Sequence, residues 1–361
     1  MSLLFRPRLI QALSAVIITA SAGGPVLAEW GDSYHKAKTS LAAKDFMAAE
    51  TAALEAVNAS ESFGETDSRR LDSLTVLGDC YREQRQWAAA LQLYEQVQAA
   101  LVKLKKADAP DAALLYEKIG VSAHKMRDYD KAQTNYETAL KIRRQRYKQN
   151  VAEIATIVTN LGELYRRKKE WDKAEVLHDN AIKDKENELG PEHPSLVASF
   201  NNLALVFKEQ KRYDEAMKLL DRAEKLALKG ENAGKNNDRA TALHNLGDVY
   251  AAQSKHKEAR AAYEQALAIR EELLGKEHPY VGETLASLGN SLLGLNLGDE
   301  ALAVYDRVIG IYKNEYGASD SKTTRVLSAK AMALDRLKRH DEAKALREEV
   351  KALEEKRKNN P

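Results

Sequence analysis

Apolar residues recur along most of the chain at helical spacing, and small residues punctuate them at a much longer period. The alanine two residues after the acid in YDKA, WDKA and YDEA begins one such series: Ala49, Ala90, Ala132, Ala174, Ala216, Ala259, Ala301 and Ala343, spaced 41 to 43 residues apart. Twelve residues before each stands Ala37, Gly78, Gly120, Gly162, Ala204, Gly247, Gly289 or Ala331. Seven residues after each stands Ala56, Val97, Ala139, Ala181, Ala223, Ala266, Val308 or Val350. Large side chains keep the same phase, as Tyr81, Tyr165, Phe207, Tyr250 and Leu292 in the first segment and Tyr94, Tyr136, Leu220, Tyr263 and Tyr305 in the second. Small residues at i and i+7 share one helix stripe and admit a neighbouring helix near the short end of the usual 8–10 Å separation. The pattern therefore predicts an all-α chain built from pairs of antiparallel amphipathic helices.

The punctuation predicts where the helices begin and end. Asp130, Asp172, Asp214, Asp299 and Asp341, two residues before the alanine, are placed to cap the second helix of each pair. Gly64, Gly190, Gly275 and Gly317 stand between units, and Pro191, Pro194 and Pro279 follow two of them, the order expected where one helix stops and the next starts. The repeats then fall at about 30–70, 71–112, 113–154, 155–196, 197–239, 240–281, 282–323 and 324–361. At the ends, Lys36 and Lys330 replace the apolar residue before the small one, and Arg347 replaces the tyrosine of the second helix. Such polar replacements suit terminal units that face water on one side.

A helix pair with Gly or Ala in the first helix, Ala and a further small residue in the second, and an aromatic at the turn resembles the tetratricopeptide repeat. The 42-residue period, the junctions Leu189-Gly190-Pro191-Glu192-His193-Pro194 and Leu274-Gly275-Lys276-Glu277-His278-Pro279, and the NLG and NLA starts resemble the kinesin-light-chain-like subclass. That resemblance implies an α-solenoid superhelix of about eight pairs over residues 29–361, with a concave groove lined by first helices and an extended peptide bound in it. It also implies that Asn160, Asn202 and Asn245, each before the NLG or NLA leucine, clamp a peptide backbone; a carboxamide offers both a donor and an acceptor. Lys118 and Ser287 interrupt this column. A second column, Arg82, His124, Arg166 and Lys208, repeats every 42 residues. It has two readings: a basic groove for an acidic peptide or a C-terminal carboxylate, or cations that close the first helix against its dipole.

The first residues carry Arg6 and Arg8, an apolar run from Leu9 to Ala20, and small residues leading to Val26-Leu27-Ala28. This is the three-part form of a secretory signal peptide spanning residues 1–28, with cleavage after Ala28. Gly23-Gly24-Pro25 interrupts the run short of the roughly 20 apolar residues that span a bilayer, against stable membrane insertion after cleavage. One cysteine, Cys80, permits no intrachain disulfide. A large exported chain without disulfides is expected to be bacterial, periplasmic or secreted. Removing Arg6 and Arg8 leaves cations and anions balanced, which gives no general attraction to nucleic acid.

No HExxH, P-loop, GxSxG or GxGxxG motif occurs, and four of the eight histidines fall at junctions and turns, so no cofactor, metal or catalytic residue is expected. The function expected is an exported scaffold that binds a protein or extended peptide. The alternatives are a subunit of an envelope enzyme complex and a purely structural spacer.

Overall fold

The structure, a computed structural model, describes residues 23–146, 151–229 and 236–359. Most of the expected leader, residues 1–22, lies outside them. Among the described residues there are sixteen α-helices and no strand. They fall into two compact units that divide after Arg146. The first unit holds three helix pairs: α1 (Gly23–Ala42) with α2 (Phe46–Ser60), α3 (Ser68–Glu83) with α4 (Trp87–Lys103), and α5 (Ala112–Lys125) with α6 (Tyr129–Arg146). The second holds five: α7 (Val151–Arg167) with α8 (Trp171–Leu189), α9 (Leu196–Glu209) with α10 (Tyr213–Ala227), α11 (Asn237–Ala252) with α12 (His256–Leu274), α13 (Pro279–Gly294) with α14 (Gly298–Tyr316), and α15 (Ser321–Arg336) with α16 (His340–Asn359). Each helix packs on the next within its unit. In the second unit the first helices of successive pairs also touch, α7 on α9, α9 on α11, α11 on α13 and α13 on α15, whereas no two second helices come comparably close. The first helices therefore form the tighter, inner layer of that stack.

The small-residue columns are where the two helices of a pair meet. A Cβ added at Gly78, Gly120, Gly247 or Gly289 would stand 2.5–2.6 Å from the ring of Tyr94, Tyr136, Tyr263 or Tyr305, sixteen residues on. Those four tyrosines are among the largest fully buried side chains. At Gly162 the opposing ring is His178, with Nε2 only 2.1 Å from the added carbon. The three pairs that carry alanine instead, Ala37, Ala204 and Ala331, have Ala53, Leu220 and Arg347 sixteen residues on. Glycine thus occurs where an aromatic ring must lie flat against the first helix, and alanine where it need not.

The turn between the paired helices departs from the expected capping. Asp130, Asp172, Asp214 and Asp299 are the second residues of their helices, not N-caps. The N-cap is two residues earlier, at Glu170, Arg212 or Leu297, with no side-chain cap bond; Asp45 and Asp128 do accept at that position, from the amides of Ala48 and Lys131. The acids expected to cap instead sit in the first turn, where they favour the helix dipole. The reason is a backbone closure that uses up the turn. In α7, Glu170 N–H reaches back to Tyr165 C=O at 2.8 Å, which requires Lys169 to adopt φ 59°. The same left-handed residue recurs in every pair, as Lys44, Arg85, Arg127, Lys211, Ser254, Asn296 and Lys338, at φ between 60° and 65°. None is glycine, although a left-handed L-residue costs about 1–2 kcal/mol. Lys169→Gly is expected to raise stability by about 0.5–1 kcal/mol after glycine's own entropy cost. A urea midpoint unchanged or lowered by the substitution would contradict the closure described here.

The ends of the chain behave as terminal units. The last helix, α16, buries Ala343 and Val350 and exposes most other side chains, Arg347 turning to Asp335. In α1, Trp30 donates from Nε1 to Ser73 Oγ at 2.8 Å and stacks on Tyr34, while Ser33 and Ala37 are buried. These contacts all lie beyond Ala28, so cleavage there would leave them in place. Among the described residues, no helix is long and apolar enough to cross a membrane.

Candidate functional site

The two columns singled out in the first helices meet different fates. Asn160 and Asn202 are half-buried and line one cleft of about 270 Å³ between α7, α8 and α9. The Asn160 side chain makes no hydrogen bond within the described residues, and Asn202 spends one side-chain N–H on Thr159 Oγ1 at 3.4 Å. Asn245 differs: it is 5% exposed and turns to Asn201 Oδ1 at 3.5 Å, while Asn201 reaches Asp238 C=O. The column therefore offers two open carboxamides, and Asn245 belongs to the packing between α9 and α11.

The side chains of the basic column are engaged within the fold. Arg82 pairs with Glu83 at 2.8 Å. Arg166 pairs with Glu163 at 2.8 Å and with Glu209 of the next repeat at 3.3 Å. Lys208 pairs with Asp248 at 2.9 Å, again one repeat on. His124 lies edge-on to Tyr129 and Tyr136. Each of these side chains thus has a carboxylate or a ring to hold, within its repeat or in the next, which accounts for its place in the fold.

Lys208 belongs to one of two polar networks that are built alike. Asp79, which follows Gly78, accepts from Tyr94 Oη at 2.7 Å and from Lys118 Nζ at 2.7 Å. Asp248, which follows Gly247, accepts from Tyr263 Oη at 2.8 Å and from Lys208 Nζ at 2.9 Å. Burial would raise the Asp248 carboxyl, but the charges of His244 and Lys208 and the bonds from Lys208 and Tyr263 hold it below the usual carboxylate range. Asn290 plays the same part for Tyr305 at 2.7 Å. Lys118, which interrupts the asparagine column, thus has a structural use.

The remaining candidates for chemistry are buried or bonded to the backbone. Cys80 is fully buried, and burial beside Asp79 and Glu50 pushes its thiol up to about 12. His278 caps α13, its Nδ1 accepting from Tyr280 N–H at 3.1 Å, and His193 Nδ1 accepts likewise from Ser195 N–H. Among the described residues no three His, Cys, Asp or Glu side chains are grouped to hold a metal.

Sequence reasoning missed the polar wall of the cleft, which comes from the second helix α8. Lys185 of α8 is 6% exposed and donates to Ser195 C=O at 3.0 Å and Ser199 Oγ at 2.8 Å. His178, under Gly162, is 3% exposed, and burial together with the Lys185 charge lowers it to about 4. One signal was legible: Arg270 stands 85 residues after Lys185, two repeats on, and is buried in the same way.

Comparison with known proteins agrees with this architecture. Tetratricopeptide-repeat family models match residues 73–106, 113–146, 153–229 and 238–297. No curated protein sequence matches the chain. Among solved structures, a kinesin light chain protein with nearly identical TPR-like repeats from Podosopora anserina is 22% identical, with 58% of this chain and 99% of that one covered at a TM-score of 0.50. The apo form of the quorum sensor NprR from B. thuringiensis is 14% identical over 90% of this chain and 87% of its own, at a TM-score of 0.62. A Rap protein complexed with competence and sporulation factor is 15% identical over 92% and 99%, at 0.53. The chain belongs to the tetratricopeptide-repeat proteins. Within them its long period and its Gly-x-Glu-His-Pro junctions resemble the kinesin-light-chain-like type.

Proposed function

We propose that this protein is an exported, non-catalytic scaffold that holds an extended segment of a protein partner against the first helices α7 and α9. One observation carries the reading: Asn160 and Asn202 present half-buried carboxamides one repeat apart in the same cleft, with Asn160 wholly unspent and the Asn202 oxygen free. Open donors and acceptors at repeat spacing suit a main chain, which offers both along its length. A Rap protein solved in complex with a separate factor is a precedent for ligand binding on a similar fold. Export rests on the leader of residues 1–28, and the mature chain is expected to begin at Glu29 on N-terminal sequencing.

The test begins with peptides selected from a displayed random library on the mature chain. Asn160→Ala with Asn202→Ala is expected to weaken the selected peptides at least about tenfold, the worth of one or two hydrogen bonds. Asn245→Ala, whose side chain is spent inside the stack, is expected to leave their affinity within about twofold. Undiminished binding by the double variant would sink the clamp.

A further inference from the structure

We propose that His244 is an acid-sensitive joint of the second unit, whatever the groove holds: when its imidazole takes a proton, the packing of α11 against α9, α12 and α13 loosens.

The site is a buried base with no second partner. His244, on α11, is 8% exposed, and its ring lies 5.4 Å from that of Tyr263. Its Nδ1 is buried and meets no hydrogen-bond partner among the described residues. Its Nε2 stands 3.8 Å from Asp248 Oδ1, beyond hydrogen-bond length. Asp248 is bonded elsewhere, to Lys208 of α9 and Tyr263 of α12. Arg270 of α12 reaches α11 one turn before His244, with Nη2 3.5 Å from Thr241 Oγ1. Glu283 of α13 is exposed, and Glu224 of α10 is held by Arg239 at 3.2 Å near the start of α11.

A neutral imidazole suits this place and a charged one does not. Neutral, it adds no charge where Lys208 and Arg270 stand against Asp248 and Glu283. Protonated, both ring nitrogens are donors. Nε2–H can close on Asp248, but Nδ1–H has no acceptor, and a buried charged donor left unsatisfied is costly. A charged His244 also favours an ionised Asp248, so three cations then face two carboxylates, one of them screened by water. Burial lowers His244 below the ordinary imidazole range; Asp248 and Glu283 oppose the shift, while Arg270 and Lys208 add to it. An imidazole lowered in the fold binds its proton more readily in the unfolded chain. Its contribution to stability is therefore full above the ordinary imidazole range and is lost as the pH falls through it.

The chain supplies its own control. The Asp79 network has the same carboxylate, tyrosine and lysine. Three residues before its glycine, where His244 stands in the other, it has Thr75, whose hydroxyl bonds Leu71 C=O of its own helix. Among the described residues of the first unit no imidazole is buried, since His35 is exposed and His124 half-buried.

The experiment follows amide hydrogen exchange of the mature chain at about pH 7.5 and about pH 5, corrected for the intrinsic pH dependence of exchange. In wild type the protection of α11 is expected to fall at least about tenfold more than that of α3, the size of a shift of about one pKa unit. His244→Gln and His244→Phe place no titratable group there and leave His178 as it is, and both are expected to remove that excess. Either variant suffices, and if neither folds the wild-type ratio of α11 to α3 decides. An excess that survives the substitution would overturn the inference. So would protection of α11 that falls no further than that of α3 in wild type.

Discussion

Gly247→Leu lowers the unfolding free energy of the chain by about 3 kcal/mol, at the upper end of overpacking effects. The carbon nearest the backbone would already stand 2.5 Å from Tyr263 Cε1 and 2.7 Å from Cδ1. The ring cannot step aside, because Tyr263 is 2% exposed and its hydroxyl is held by Asp248 at 2.8 Å. Gly162→Leu, in the same unit, is expected to cost about half as much despite a closer first contact, since His178 borders a cleft into which it can swing. Gly310 in α14 has nothing within 4 Å of an added carbon, so Gly310→Ala is expected to stabilise by up to about 1 kcal/mol through helix propensity alone. Urea unfolding of the three variants checks both sign and order. Equal costs at Gly247 and Gly162 would mean that the anchoring of the opposing ring does not set the penalty.

Asp79→Ala is expected to cost about 3 kcal/mol, because it strands two buried partners at once. Lys118 and Asp79 have side chains only 11% and 16% exposed, and the Tyr94 hydroxyl has Asp79 as its acceptor. Removing the carboxylate leaves an ammonium and a phenol without their acceptor between α3, α4 and α5. Replacing the whole set, Asp79→Leu with Lys118→Leu and Tyr94→Phe, is expected to restore stability to within about 1 kcal/mol of wild type, since apolar groups of similar shape carry no desolvation cost. Chemical unfolding of both variants decides the matter. A single variant as stable as wild type would show that the network is solvated rather than structural.

Much of the fold was legible because helix pairing depends on residues a fixed distance apart in the same repeat. The glycine or alanine of the first helix and the residue sixteen positions on vary together, Gly78 with Tyr94 and Ala204 with Leu220, and a repeat displays that correlation several times. Turn capping was misread because Asp172 and its counterparts sit near the helix start by number, whereas the left-handed residue at Lys169 sets where the helix begins. Nothing in side-chain type announces that residue, as it is Lys, Arg, Ser or Asn in different pairs.

The candidate site was legible only in its outline. Asn160, Asn202 and Asn245 look equivalent in register, yet the first two are open and the third is spent on Asn201. Arg166 and Lys208 read as a basic stripe until Glu209 and Asp248, about 40 residues away, are seen beside them.

By itself the sequence determined the all-α class, the repeat and the helix contacts within each pair, since these follow from periodicity and side-chain size. Only the tertiary structure decided which polar groups remain unspent. A side chain's charge or hydrogen bond is available to a ligand only if no neighbour from another repeat has satisfied it. That neighbour is chosen by how pairs stack, through contacts between residues 35 to 45 positions apart, and no local pattern records the outcome.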